Sequence, residues 1–325
     1  MTTYINNLET PPRHKSEYMW ADYIELLALA NIDLEISKAD IQDRRKERKD
    51  LGEIDLQNSS DFNYEENQDD SSSLFISDCF RNLEYRTSVF GESYPFNLIE
   101  NGKILQCKRE FSESNRLYLF LLLASNLMYV DNKNSSLISS TFEVVSLEAL
   151  RNYLPSRAST IFFGTNPKNR NIRFSGKLSL KIRNLAEDLN ELCLVNDNDF
   201  DPHNTGDSGL DLVGYLPFKD NAQGMLYIFC QCACTEEWQS KQHDCSYQSW
   251  ANKIKFTSFF SHMIFTPFCY RTALGHWFDL LKIKSSILVD RVRIIDLLVS
   301  SADSLTRLGE LPFVSASFKQ KQSLF

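Results

Sequence analysis

Residues 117–130, LYLFLLLASNLMYV, are the longest apolar run in the chain, 14 residues interrupted by Ser125 and Asn126. A membrane-spanning helix needs about 20 such residues, so a run of this length is a helix for the middle of a folded domain. Burying such a helix on all sides takes a large apolar complement. The chain has one: 42% hydrophobic residues, with 23 Phe, 13 Tyr and 4 Trp against 11 Gly. That composition excludes a disordered or fibrous chain. A length of 325 residues suits about two domains. The start, MTTYINNLETPPRHK, is polar, without the apolar core of a secretory leader, and the 8 cysteines follow no even framework. The expectation is a reduced, cytoplasmic protein with no membrane association.

The net charge of −8 is unevenly placed, since residues 1–100 hold 10 basic and 21 acidic residues while 101–325 hold 25 and 22. Acidity therefore argues against a nucleic-acid partner for the first third alone. Residues 1–52 read as a helical segment. Trp20, Tyr23, Ile24, Leu27 and Ala28 follow Ser16 at helical spacing, and a second helix opens at Ser37 with Asp40 as a capping pair. Its run DRRKERKD (43–50) alternates signs and reads as a solvated face. Residues 53–73, EIDLQNSSDFNYEENQDDSSS, are acidic and poor in branched apolar residues, and read as a linker. An accessory α+β domain is expected over 74–160, with a tight type I′ hairpin at Asn101-Gly102, a helix over 114–130 and another near Ser146–Tyr153.

From 161 to 310 helices and strands alternate, which predicts an α/β domain on a central sheet, followed by a tail over 311–325. Leu178, Ile182, Leu185, Leu189 and Leu192 stripe a helix over 176–194; strands are expected at Leu210–Leu216, Met225–Cys234, Met263–Phe265 and Ser286–Val289. Helices are expected over 235–243, 247–260 and 292–300.

Chemistry concentrates in GDSGLDLVGYLPFKDNAQGMLYIFCQCACTEEWQSK (206–241), where Asp211 stands just inside one strand and Gln231 interrupts the apolar run of the next. On a strand Gln231 and Ala233 share one face while Cys230, Cys232 and Cys234 share the other. A polar side chain in a buried strand must be satisfied, and a metal ion shared with Asp211 is one way to do so. Cys232, Cys234, His243 and Cys245 match no common zinc spacing, and the chain has no G-x-x-x-x-G-K-[ST], G-x-G-x-x-G or G-x-S-x-G.

Asp207 and Asp211 in GDSGLD, Gln231 in FCQCA, Glu187 in RNLAEDLNEL and the closing SSILVDRVRIIDLL together resemble the PD-(D/E)XK, restriction-endonuclease-like nucleases, especially their Mrr-type branch. The resemblance spans about residues 170–300. It implies a mixed central sheet flanked by helices, preceded here by a mostly helical accessory part. It also implies a Mg²⁺-dependent (or Mn²⁺-dependent) DNA endonuclease. Asp211, Gln231, the main chain of Cys232 and Glu187, or Glu191 in its place, would hold the ion. The family's Lys, two residues after Gln231, is Ala233 here. Lys241, with Lys253 and Lys255 as alternatives, would have to replace it, or the domain is catalytically silent and acts as a DNA- or protein-binding module. The implied context is a bacterial antiviral or restriction system with a separate ATPase, helicase or sensor subunit. Apart from the resemblance, residues 149–186 contain no acid but carry Arg151, Arg157, Lys168, Arg170, Arg173, Lys177, Lys181 and Arg183. Such a run reads as a surface for tracking phosphates.

Overall fold

A computed structural model describes residues 2–13, 16–50, 65–165, 171–311 and 317–320. Helix α1 (Glu17–Ala30) is buried along 12 of its 14 residues and runs through the centre of the N-terminal half. Strand β1 (Thr2–Ile5) precedes it and β2 (Glu35–Ser37) follows. Ser37 and Asp40 close the predicted cap: Ser37 N and Oγ both donate to Asp40 Oδ2, and Asp40 N donates to Ser37 Oγ. Helix α2 (Lys38–Asp50) starts there. The expected linker is in part a helix, because α3 spans Glu65–Phe90. Once Ile76, Cys79, Phe80 and Leu83 are packed in the core, the helix extends back through the acidic serines. Residues 53–64 of that expectation lie outside the described residues.

Strands β3 (Phe96–Ile99) and β4 (Ile104–Cys107) form the expected hairpin, with β2 on the far side of β4. The turn is longer than a two-residue I′ turn, since Glu100, Asn101 and Gly102 all take positive φ. The apolar run forms α4 (Glu113–Ala124), capped by Ser112, with every residue from Leu117 to Ala124 buried. Helix α5 (Asn132–Tyr153) begins 14 residues earlier than the sequence reading placed it, at the Asp131 cap. Among the described residues no helix is long and apolar enough to cross a membrane.

The central sheet has five strands in the order β11-β10-β8-β7-β5. Strands β5 (Ser159–Phe162), β7 (Leu212–Leu216) and β8 (Leu226–Cys232) form an antiparallel meander; β10 (Ser261–Phe265) lies parallel to β8, and β11 (Ile287–Val289) parallel to β10. Between β5 and β7 come helix α6 (Leu178–Asp188) and the short strand β6 (Leu192–Cys193), which pairs with β9 (Ile254–Lys255). The expected helix over 247–260 is one turn, α7 (Tyr247–Trp250). After it, Phe256 and Phe260 leave helical spacing to pack on Tyr227 and Phe229. Helices α8 (Arg291–Val299) and α9 (Ala302–Gly309) close the unit, and β12 (Ser317–Gln320) pairs with β1. The mixed sheet flanked by helices is therefore present.

One apolar cluster runs from Ile5 to Leu308 and takes in α1, α3, α4, α5 and one face of the sheet, so the core is continuous across residue 160. Helix α5 lies on that face, close enough that a Cβ on Gly214 would stand 2.5 Å from Leu154 Cδ1. Gly214→Val should therefore lower stability by about 1–3 kcal/mol through overpacking, seen as an earlier denaturation midpoint at unchanged m-value.

The N- and C-terminal elements are tied by a charge network with no solvent contact. Asp22, Glu25, Arg86 and Arg291 are each at most 1% exposed. Arg86 bonds Asp22 (2.5 Å) and Glu25 (2.9 Å), and Arg291 grips both oxygens of Asp22 (3.0 and 2.8 Å). Tyr94, Tyr118, Ser125, Asn126 and the main-chain carbonyls of Tyr18 and Pro267 complete the bonding. Two acids and two bases at this depth are tolerable because they neutralise one another and are hydrogen-bonded throughout.

Candidate active site

The turn GDSGLD places the central acid. Ser208 and Gly209 both adopt left-handed backbone (φ 57° and 74°), and Gly209 N donates to Asp207 Oδ1 at 3.0 Å. Gly209 is required for a second reason: a Cβ there would lie 2.4 Å from Asp244 Cβ. The turn delivers Asp211 to the head of β7. The register of β7 on β8 ends at Leu212↔Cys230, and Asp211 N also donates to Cys230 O (3.0 Å), so Asp211 bulges from the ladder against Cys230. The Asp211 carbonyl accepts from Phe163 N (2.8 Å) and Gly164 N (3.0 Å), and its Oδ2 accepts from Cys232 N (2.7 Å). The carboxylate thus takes over a ladder position on β8 beyond the end of β7. Gly164 leaves room for it, since a Cβ there would stand 3.2 Å from Oδ1.

Asp211 is 8% exposed, and burial pushes its carboxyl well above the ordinary carboxylate range. Glu143 of α5 pushes it the same way, the Cys232 amide opposes, Asp207 adds to the rise and the Lys241 ammonium counters it. Gln231 is equally buried, and its Oε1 has no hydrogen-bond partner. Ala233, where the resemblance calls for Lys, is 1% exposed among Trp238, Ile264 and Phe268, with no solvent route for an ammonium.

Lys241 is brought back towards Asp211 by the fold. It lies on a 3₁₀ helix, Glu236–His243, and the neighbouring Gln242, fully buried, fastens that helix beside β11. The Gln242 amide donates to Lys282 O (2.8 Å) and accepts from Lys284 N (2.9 Å) and Ser286 Oγ (2.7 Å). Lys241 is half-buried, and its charge is felt by Asp211, Asp244 and Cys234. Lys253 instead donates to Ser249 O and lies over the Trp250 ring, while Lys255 is exposed on β9.

Other expected residues lie elsewhere. Glu187 faces outward from α6, opposite the buried stripe Leu178, Ile182, Leu185 and Ala186, and pairs with Arg173 at 2.8 Å. It is not brought to Asp211, so its expected role as metal ligand and catalytic acid is corrected. Glu191 is buried, but it accepts from Tyr227 Oη (3.0 Å), Thr257 and Gly224 N and ties those loops together. The expected phosphate track is also corrected in part. Lys181 is 2% exposed, lies over the Phe163 ring and donates to the carbonyls of Thr205 and Gly206, which pins the GDSGLD turn from behind. Arg173 is engaged by Glu187 and Asp188, Arg183 by Asp197, and Arg151 by Glu148. Lys177 is exposed at the N-cap position of α6. Lys168 and Arg170 lie outside the described residues.

Two acids act on Asp211 to which the sequence assigns no role there, Glu143 and Asp207, while Asp244 lies against Gly209 of the turn. Glu143 precedes the helix expected near Ser146–Tyr153 and lies inside the one observed. The spacing of Ile138, Phe142, Val145 and Ala149, all buried, carries it back. Among the described residues no three His, Cys, Asp or Glu side chains gather to hold a metal ion. The oxygens that fit one are the Asp211 carboxylate and the orphaned Gln231 Oε1 of the adjoining strand. Such a hard, sparse set suits Mg²⁺, which keeps several waters and leans on one or two carboxylates plus substrate phosphate. Burial pushes the Cys230 and Cys232 thiols up, against a thiolate ligand or nucleophile there.

Compared with known protein families, with curated proteins and with solved structures, the chain matches none.

Proposed function

We propose that the chain carries a restriction-endonuclease-like nuclease domain and hydrolyses phosphodiester bonds of DNA with Mg²⁺ or Mn²⁺. The observation that carries this reading is the buried Asp211 carboxylate at the head of the middle strand of an antiparallel meander, held on Cys232 N of the next strand, which also carries the unpartnered Gln231 Oε1. Helix α5 brings Glu143 close enough for its charge to raise the Asp211 carboxyl, where the exposed Glu187 does not reach. Bound at Asp211, Gln231 Oε1 and the Cys232 carbonyl, the ion would acidify a water and offset charge on the phosphate. Asp211 has to be ionised for this, and a divalent cation opposes the burial that raises its carboxyl pKa. The Lys241 ammonium is the group placed to steady a phosphate oxygen or orient the attacking water. As the chain carries no nucleotide-binding loop, an ATPase, helicase or sensor partner would supply any energy-driven step, and a bacterial defence system is the setting that fits.

A second reading, a catalytically silent nuclease fold that binds DNA or protein, is favoured by Ala233 in its apolar pocket and by the lack of a third ligating acid among the described residues. Incubating purified protein with supercoiled plasmid and Mg²⁺ or Mn²⁺ tests both. Wild type and Glu187→Ala should nick the plasmid alike, and Asp211→Ala should not. Cleavage surviving in Asp211→Ala would remove the proposed site. Wild type that binds DNA in a salt-dependent way but never cuts would establish the silent fold.

A further inference from the structure

The central sheet ends at β11, and a groove runs along that edge. Tyr153 of α5, Arg293 and Leu297 of α8, Ile287 of β11 and the loop residues Trp277 and Ile283 line a half-open cavity of about 590 Å³ there. Trp277 is held in place by two guanidiniums, Arg271 at 3.6 Å and Arg293 at 4.9 Å from its ring centroid, and Asp290 holds Arg271 at 2.8 and 3.2 Å. Apolar surface continues at Leu280 and Leu281, 66% and 88% exposed, just before Ile283. That turn is fixed as well: Asp279 Oδ1 accepts from Leu281 N at 2.9 Å, and the buried Gln242 amide donates to Lys282 O at 2.8 Å. Exposed leucines on a fixed turn beside a preformed groove mark a surface made for contact.

Two features say what fits it. The first is the main chain of β11. Val289 O accepts from Thr266 N, so Val289 and Ile287 turn their peptide groups towards β10 and Leu288 turns its own outward. The outward Leu288 carbonyl is already taken by Arg293 Nη1 at 2.6 Å, and β11 is three residues long. An added strand finds no ladder here, so a partner has to bind through its side chains. The second feature is charge. Lys282, Lys284 and Arg293 are exposed, and none is paired with an acid among the described residues. Against them the cavity lining sets Asp296, while Asp279 is spent on capping the turn.

We propose that this groove docks an acidic amphipathic helix of a partner protein. Large apolar side chains at i, i+3, i+4 and i+7 of that helix fill the cavity and cover Leu280 and Leu281. Its glutamates and aspartates meet Lys282, Lys284 and Arg293 around the rim. The inference goes beyond the nuclease reading and stands without it, because β10 and β8 separate the groove from the strand that carries Asp211 at its head. Under that reading, the helix belongs to the separate ATPase, helicase or sensor subunit.

Fluorescence anisotropy of labelled synthetic peptides against the full chain tests the proposal. The probes are a helix of about four turns (~15 residues) with leucines at the anchor positions and glutamates elsewhere, the same peptide with lysines for the glutamates, and an extended peptide alternating valine and glutamate. The acidic helix should bind saturably, and the other two at least about tenfold more weakly. Leu281→Ser, Tyr153→Ser and the double variant Lys282→Glu/Lys284→Glu, all at exposed positions, should each weaken binding by about tenfold or more at unchanged melting temperature. Ile172→Ser, at another exposed apolar position, should bind like wild type. An acidic helix that does not bind, that the lysine or extended peptide matches, or that binds all three variants as it binds wild type overturns the proposal. A concentration-dependent dimer in sedimentation, or retention on phosphatidylglycerol vesicles, overturns it too if Leu281→Ser abolishes it, because a second copy or a lipid surface is then the occupant. None of these measurements reads cleavage, so the proposal and the nuclease reading fail separately.

Discussion

Arg291→Met should lower the melting temperature by on the order of 5–10 °C, the largest single-residue effect on stability expected in this protein. The guanidinium is fully buried and serves five acceptors: both oxygens of Asp22, the Pro267 carbonyl, Ser125 Oγ and Tyr118 Oη. Burial works against charge on Asp22, yet Arg291 and Arg86 hold its carboxyl below the usual range. Without Arg291, Asp22 and Glu25 share one remaining cation, Arg86, in a region with no water to compensate. Breaking a buried pair from one side costs about 3–5 kcal/mol, whereas removing both sides can be nearly neutral. Asp22→Asn/Arg291→Met should therefore lose less than the sum of the two single variants, by about 0.5–3 kcal/mol. Strict additivity in thermal or denaturant melts would show that the two residues do not act as a pair.

Asp211→Asn should separate activity from stability. Cleavage should fall at least about 100-fold, beyond the 10–100-fold typical of a residue that only supports a metal ligand. Stability should move the other way. With the folded carboxyl held well above its ordinary value, the native state keeps a proton that the unfolded chain has already released. Stability from this group is thus complete below the ordinary carboxylate pKa, near 4, and is lost as pH rises through the folded value. Asparagine imitates the protonated acid and can still accept from Cys232 N. The variant should melt above wild type at pH 8, with the difference shrinking towards pH 4. Saturating Mg²⁺ should raise the melting point of wild type and not of the variant. A variant that melts below wild type at pH 8 in metal-free buffer would show that Asp211 is ionised in the folded protein.

Much of the site's main-chain framework was legible because it is local. The strands around Gly214 and Phe229 announce themselves by apolar content, the GDSGLD turn by residues that tolerate positive φ, and the Ser37 cap by an acid three positions on. Lys241 lies on the helix expected over 235–243, and nothing local says how near it comes to Asp211. A 3₁₀ helix anchored by Gln242 returns it, and no local pattern encodes that anchor because its partners lie 40 to 44 residues further along. For Glu187 and Lys181 the helix and its apolar stripe are legible, but not that Glu187 points to Arg173 and that the chain at Thr205 and Gly206 folds over Lys181.

The sequence by itself determined the mixed α/β class, the hairpin, the central strands and the place of Asp211 at the head of one of them, since these follow from short-range periodicity and turn chemistry. Only the tertiary structure decided which acid acts on Asp211, which basic residues are already spent on partners, and that Asp22, Glu25, Arg86 and Arg291 meet in one buried knot. The physical reason is the same throughout. A side chain's charge and reach are local properties, but its partners and its desolvation depend on segments up to 269 residues apart in the chain, as for Arg291 and Asp22, and those are fixed only when the core closes.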